Sequence, residues 1–366
     1  MATLAGQLSP NGKLFLSVLE KQRNAELPLY ICERINEAIN TAAEGFLTNI
    51  REAANEVIFH EFDTFVNKER GERWCVDWYD EEKVETTIRL FPDVLSETFH
   101  IDSPESGRVV YPITWTLMAG VEGVFNLKAA LLIPIMVELG IELGQFTKEE
   151  RGGLAVPNLN GSNTLQVLVC VSQADEGDDK EYQQLIDERL LAVMKRLRDR
   201  NLLKKEDIRE YNLLWTTLSR FGKSFCIEKR FRFLSDWDPV ALMTPCVSGA
   251  SYLPIHYSTD YQDIRPFLLV LDAGMRHYPT KLGFAFTEGK PEDSTNSYRS
   301  IPYHDACEQF GEEVVKREVL DRIMNCPKTN TEQFLLSAAV DEAINLDGLY
   351  ILVRREPAAL QRLLQG

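Results

Sequence analysis

Five histidines, His60, His100, His256, His277 and His304, are the side chains of this sequence best suited to proton transfer near neutral pH or to metal ligation. A metal clamp on a helix needs two of them four residues apart, and no pair has that spacing. A dyad of His304 with Asp305 would need a nucleophile beside it, and adjacent residues on a helix do not face each other. Gly222-Lys223-Ser224 ends like a phosphate-binding loop, but Thr217 stands where the cradle needs its first glycine. The acidic pairs Glu149-Glu150, Asp178-Asp179 and Glu312-Glu313 would suit general acid–base work. Neighbouring carboxylates in loops or at helix starts are more simply solvated, or they favour the positive end of the helix dipole. Nucleophile-elbow, dinucleotide-binding and calcium-loop patterns are absent. No catalytic residue, cofactor site or metal site is therefore assigned, and the chain is expected not to be an enzyme.

The cysteines Cys32, Cys75, Cys170, Cys226, Cys246, Cys307 and Cys326 are odd in number and contain no Cys-x-x-Cys pair. That pattern suits neither a disulfide framework nor zinc, and reduced thiols of a cytoplasmic or nuclear protein are expected. The net charge of −16, from 56 acidic and 40 basic residues, repels phosphate backbones and argues against nucleic acid. The densest basic stretches are Lys195 to Arg200 with Lys204-Lys205, and Lys229-Arg230-Phe231-Arg232. Both follow amphipathic helical patterns and are expected to be solvated faces. Met1 to Pro10 lacks the basic start and apolar run of a signal peptide. The most apolar stretch, Ala129 to Leu143, carries Pro134, Glu138 and Glu142 and is too short to span a bilayer, so no membrane partner is expected.

The elements that would position any binding residues are helices. With 44% hydrophobic and 26% charged residues, the 366-residue chain has globular composition. Residues 1–83 read as an N-terminal helical segment, with apolar residues from Leu29 to Phe62 recurring mostly at three- and four-residue steps. Residues 84–366 repeat. A proline-x-x-leucine phrase at Pro92, Pro239, Pro279 and Pro357 follows apolar helical runs and predicts a helix end and turn each time. A second phrase opens a helix, with Pro112, Pro254 and Pro302 at its first position and looser copies at Thr164, Leu213 and Leu335. Amphipathic runs follow at Leu131–Leu143, Leu190–Leu203, Phe267–Ala273, Val314–Met324 and Leu346–Val353. Gly140, Asn201, Gly274 and Asn325 are placed at helix C-termini.

The unit is turn, helix, turn, helix, with steps of 52, 49, 41, 48 and 33 residues between second phrases. Surface insertions are expected at Gln173–Tyr182 and Phe286–Ser300, with a further soft stretch at Asp102–Arg108.

Leu253-Pro254-Ile255-His256 and Ile301-Pro302-Tyr303-His304 resemble the Thr-Pro-Leu-His phrase that opens an ankyrin helix pair, and Leu271-Asp272-Ala273-Gly274 resembles the phrase that closes one. Arg355 to Leu360 and Ala273 to Gly283 are similar to phrases of divergent ankyrin-like repeat families of diatoms, which have no assigned biochemistry. The resemblance covers about 84–366. It implies a mostly all-α chain, an α-solenoid of irregular ankyrin-like helix-turn-helix repeats behind an N-terminal helical segment. The period is irregular, and the middle units lack the phrases.

In ankyrin-like turns the imidazole at the His256 and His304 slots bridges neighbouring loop backbones. Trp115, Tyr257 and Asp305 fall just after that slot and are the candidate protein-binding residues, although packing of Trp115 and Tyr257 against the next repeat is the stronger reading of those two. Leu27-Pro28 faintly resembles the opening of an F-box, which would make residues 27–65 a ubiquitin-ligase hook. The reading that explains most residues is a non-enzymatic scaffold for protein–protein interaction. A ubiquitin-ligase substrate adaptor and an enzyme of unrecognised type are the rivals.

Overall fold

The computed structural model describes residues 81–365 apart from 91, 97, 101–108, 119–126, 159–160, 172–179, 219–226, 246–251, 290–299, 326–330, 341–349, 351–352 and 355. All of them belong to one unit, Ile58–Gly366. The expected N-terminal helical segment, apart from Glu81 to Lys83, and the F-box-like stretch 27–65 lie outside the described residues, as does Gly222-Lys223-Ser224.

The described chain is mostly helical. In order, the helices are α1 (Glu81–Leu90), α2 (Pro112–Met118), α3 (Leu127–Glu142), α4 (Thr164–Cys170), α5 (Lys180–Asp199), α6 (Asp207–Glu210) and α7 (Leu213–Leu218). There follow α8 (Glu228–Trp237), α9 (Pro254–Tyr257), α10 (Arg265–His277), α11 (Pro302–Phe310), α12 (Glu312–Asn325), α13 (Thr331–Val340) and α14 (Pro357–Gln365). Two short antiparallel strands, β1 (Phe99–His100) and β2 (Val109–Val110), set Phe99 opposite Val110 before α2.

Five of the six second-phrase positions open a helix. Pro112, Pro254 and Pro302 take the first helical position, where fixed φ helps and the missing N–H would be unpaired anyway. Thr164 and Leu213 open α4 and α7 without proline, and Asn163 caps α4.

The helices meet in two series. The short helices touch in sequence, α2 on α4, α4 on α7, α7 on α9 and α9 on α11. The longer ones do the same, α1 on α3, α3 on α5, α5 on α8, α8 on α10 and α10 on α12. An apolar stripe at helical spacing on each long helix faces the core, as with Ile186, Leu190, Val193, Met194 and Leu197 of α5. Leu165, Leu168, Leu213, Leu214 and Ile255 meet that core from the short helices. Full burial of one such side chain is worth about 1.5–3 kcal/mol.

Several expectations need correction. Three proline-x-x-leucine phrases form 3-10 turns, at Pro92–Leu95, Pro239–Met243 and Pro279–Phe284, but Pro357 instead opens α14. Leu335 is the fifth residue of α13, whose main contacts are α14 and the Pro279–Phe284 turn, so it does not open a sixth copy of the short series.

Asn201, at φ 58, follows α5 in the left-handed cap conformation, and Asn325 ends α12. Gly140 and Gly274 do not end helices. Gly274 lies inside α10 because the Pro279–Phe284 turn folds back onto it: a Cβ there would sit 2.6 Å from the Gly283 carbonyl oxygen. The expected surface loops are shorter than composition suggests. Lys180, Glu181 and Tyr182 belong to α5, and Phe286 is buried in the core. Gly289 N–H donates to the Ser300 carbonyl at 2.8 Å, closing the neck of the second insertion.

Candidate interaction surface

The third residue of the short helices does the joining. In α4, Asn163 Oδ1 accepts from Gln166 N–H and Gln166 Oε1 accepts from Asn163 N–H, both at 2.9 Å. The amide end of Gln166 remains, and Nε2 donates to the Tyr211 carbonyl at 3.0 Å, just ahead of α7. In α9, His256 repeats the arrangement. Its Nδ1 accepts from Leu253 N–H at 3.1 Å, which leaves the proton on Nε2 to reach the Thr287 carbonyl at 3.2 Å. In α2 the Thr114 hydroxyl lies 2.7 Å from that of Thr164, which donates in turn to the Gly153 carbonyl at 3.2 Å.

Burial pushes His256 down to about 4, so the imidazole is neutral and bridges by its tautomer rather than by charge. His256 thus takes the expected bridging role, and Gln166 shares it without any signal from the ankyrin phrase. His304, in the matched slot of α11, is half-buried with its ring edge-on to Tyr303 at 6.0 Å. Trp215 holds the same slot in α7. Its indole N–H is buried without a hydrogen-bond partner, and its ring meets Tyr257 edge-on at 4.9 Å.

Trp115, Tyr257 and Asp305 each follow that slot by one residue, in α2, α9 and α11. The series therefore puts all three on one row of helices, with Tyr257 and Asp305 on neighbours that touch. The side chain of Trp115 lies outside the described residues. Tyr257 is half-buried against Trp215, and Asp305 is half-buried and accepts a hydrogen bond from the Ser300 hydroxyl.

Asp260, Tyr261 and Glu308, one turn further on, belong to the same surface and were not singled out from sequence. Burial, and then the Asp305 carboxylate, push Asp260 above the ordinary aspartate range. Burial also raises Asp305, opposed by the Ser300 hydroxyl and reinforced by Glu308. Tyr261 is pushed up to about 12 by burial and by Asp260, and its hydroxyl donates to the Leu218 carbonyl of α7.

The stretch from Lys195 to Arg200 with Lys204-Lys205 is the exposed face expected of it, but the stretch from Lys229 to Arg232 is not. Arg230 is fully buried. Its Nε donates to Asp187 at 2.8 Å, and its other nitrogens reach the carbonyls of Leu168, Val169 and Val171, closing the end of α4. Lys229 pairs with Glu188 and Arg232 with Glu228. In the other stretch, Arg198 lies over the rings of Phe233 and Trp237, and Arg200 pairs with Glu138. A second internal pair, Arg151 with the buried Asp207 at 2.5 Å, ties the Arg151–Gly153 turn to α6. Neither Cys170 nor Cys307 is in a disulfide, and burial pushes the Cys307 thiol up, away from thiolate chemistry.

No family model, curated protein or solved structure matches this chain. No helix among the described residues is long and apolar enough to cross a membrane.

Proposed function

We propose that this chain is a non-enzymatic scaffold for protein–protein interaction, built as an α-solenoid of irregular ankyrin-like helix pairs. The observation that carries the reading is the shared use of the third helix position. Gln166 and His256 each accept their own helix's leading N–H and donate to a carbonyl beyond the next connection. Two different side chains performing one task in successive units is what a repeat with drifting sequence would retain. The two series of consecutive helix contacts support the same reading.

A helix pair cannot bury its apolar face alone, and stacking leaves an extended row of helix edges open to a partner. On this reading Trp115, Tyr257 and Asp305 lie along that edge. The protein works in the cytoplasm or nucleus, without cofactor or nucleic acid.

The test is affinity capture from lysate of the source organism with the intact chain as bait. A near-stoichiometric protein is the expected result. Recovery of a tightly held small molecule, with no protein above background, would overturn the reading.

A further inference from the structure

Exposed apolar surface gathers on one pair of helices. Among the described residues the most exposed large apolar side chains are Leu336 at 55%, Val340 at 82%, Tyr350 at 62% and Leu364 at 78%. Leu336 and Val340 lie four residues apart on α13, with exposed Ala339 beside them, and so form one stripe along the helix. Leu364 stands on α14, which packs on α13. A lone apolar residue on a surface is ordinary, whereas a stripe marks a face that something covers.

The sequence of α13 says the same. From Phe334 to Val340 only Ser337 is polar, and this stretch is about two turns long, so apolar side chains lie around most of the helix. Such a helix belongs in an interior. Leu335 is buried in the core and fills the inner side, which leaves Leu336, Ala339 and Val340 outside.

Charge selects what covers them. The chain carries a net charge of −16, so two copies repel each other over most of their surface. A two-fold contact also sets each patch against an identical patch, so any charge in it meets a like charge unless it is paired within its own copy. The outer face of α12, with exposed Glu312, Glu313 and Arg317, fails that condition. α13 meets it: its single charged residue, Glu332, pairs with Arg362 of α14, and Gln333 to Val340 contain no charge.

We propose that this face is the contact between two copies of the chain, with α13 of one copy packed on α13 of the other about a two-fold axis. The contact uses a surface other than the short-helix row, so it stands or falls independently of any partner bound there.

The test is sedimentation velocity of the intact chain from about 0.1 to about 100 µM at physiological salt. The parent should pass from one copy to two as concentration rises. Two site variants place like charges on the stripe, Leu336→Glu/Val340→Glu and Leu336→Lys/Val340→Lys. Each alone should need at least about tenfold more protein to pair, and an equimolar mixture of the two should recover pairing, because opposite charges then meet across the axis. The control, Ile141→Glu/Val240→Glu, makes the same change at exposed apolar positions elsewhere and should pair like the parent. All the substituted side chains are exposed, so at the lowest concentration every variant should melt within a few degrees of the parent.

A parent that stays a single copy throughout would overturn the proposal and leave the face to a different protein. Pairing as strong in either site variant as in the parent would place the contact elsewhere. Loss in both variants without recovery on mixing, or growth beyond two copies, would exclude the two-fold arrangement.

Discussion

Acidification from pH 7 to pH 4.5 should weaken this fold partly through one imidazole. His256 is 4% exposed and is held at about 4, against an ordinary 6.5, by burial. A histidine whose folded value is depressed binds fewer protons folded than unfolded between those two values. Its contribution is therefore complete above pH 6.5, declines as the pH falls toward 4 and is gone below that. The full gap corresponds to about 3 kcal/mol, at about 1.4 kcal/mol per pH unit, and most of it is spent by pH 4.5.

Gln166 shows how to isolate the effect, since a glutamine in the matched slot makes both bonds without titrating. The assay is urea unfolding of the parent and His256→Gln at pH 7 and pH 4.5. Asp260 and Asp305, raised by burial, act with the opposite sign, favouring the fold as they protonate, but they are common to both proteins and cancel in the difference. The parent should lose about 2–3 kcal/mol more than the variant over this interval. Equal losses would refute the buried neutral bridge.

Arg230→Met should cost about 3–5 kcal/mol, because it leaves Asp187 buried and uncompensated and frees the carbonyls of Leu168, Val169 and Val171. Adding Asp187→Leu should recover a large part of that loss, and denaturation of the single and double variants checks both statements. Gly274→Ala should lower stability by about 1–3 kcal/mol despite alanine's better helix propensity, because the new Cβ meets Gly283 backbone atoms at 2.6 and 2.8 Å. A thermal melt that rises for this variant would show that the Pro279–Phe284 turn does not press on α10.

Helix starts were the most legible part of the fold. Proline at the first position is a local signal, so Pro112, Pro254 and Pro302 could be read one residue at a time, and they led to the weaker copies at Thr164 and Leu213. Helix ends were less legible, because what sets them is tertiary. Gly274 looks like a terminator, yet α10 runs on to His277, since the glycine is needed for the close approach of a distant turn.

The same cause hid Arg230. A basic tetrad at helical spacing reads as surface unless the open end of α4, about sixty residues earlier in the chain, is known to sit against it. For the surface, Tyr257 and Asp305 carried a positional signal because they follow the repeat phrase. Asp260 carried none, since it comes near Asp305 only through the meeting of α9 and α11.

The central claim is that the short-helix row is the face that binds protein. Hydrogen–deuterium exchange of the intact chain, alone and saturated with its captured partner, tests this most directly. The account predicts new protection in 164–171, 213–218, 254–261 and 302–309, with α5, α8 and α12 unchanged. Protection confined to those long helices, with the short row unaffected, would contradict it.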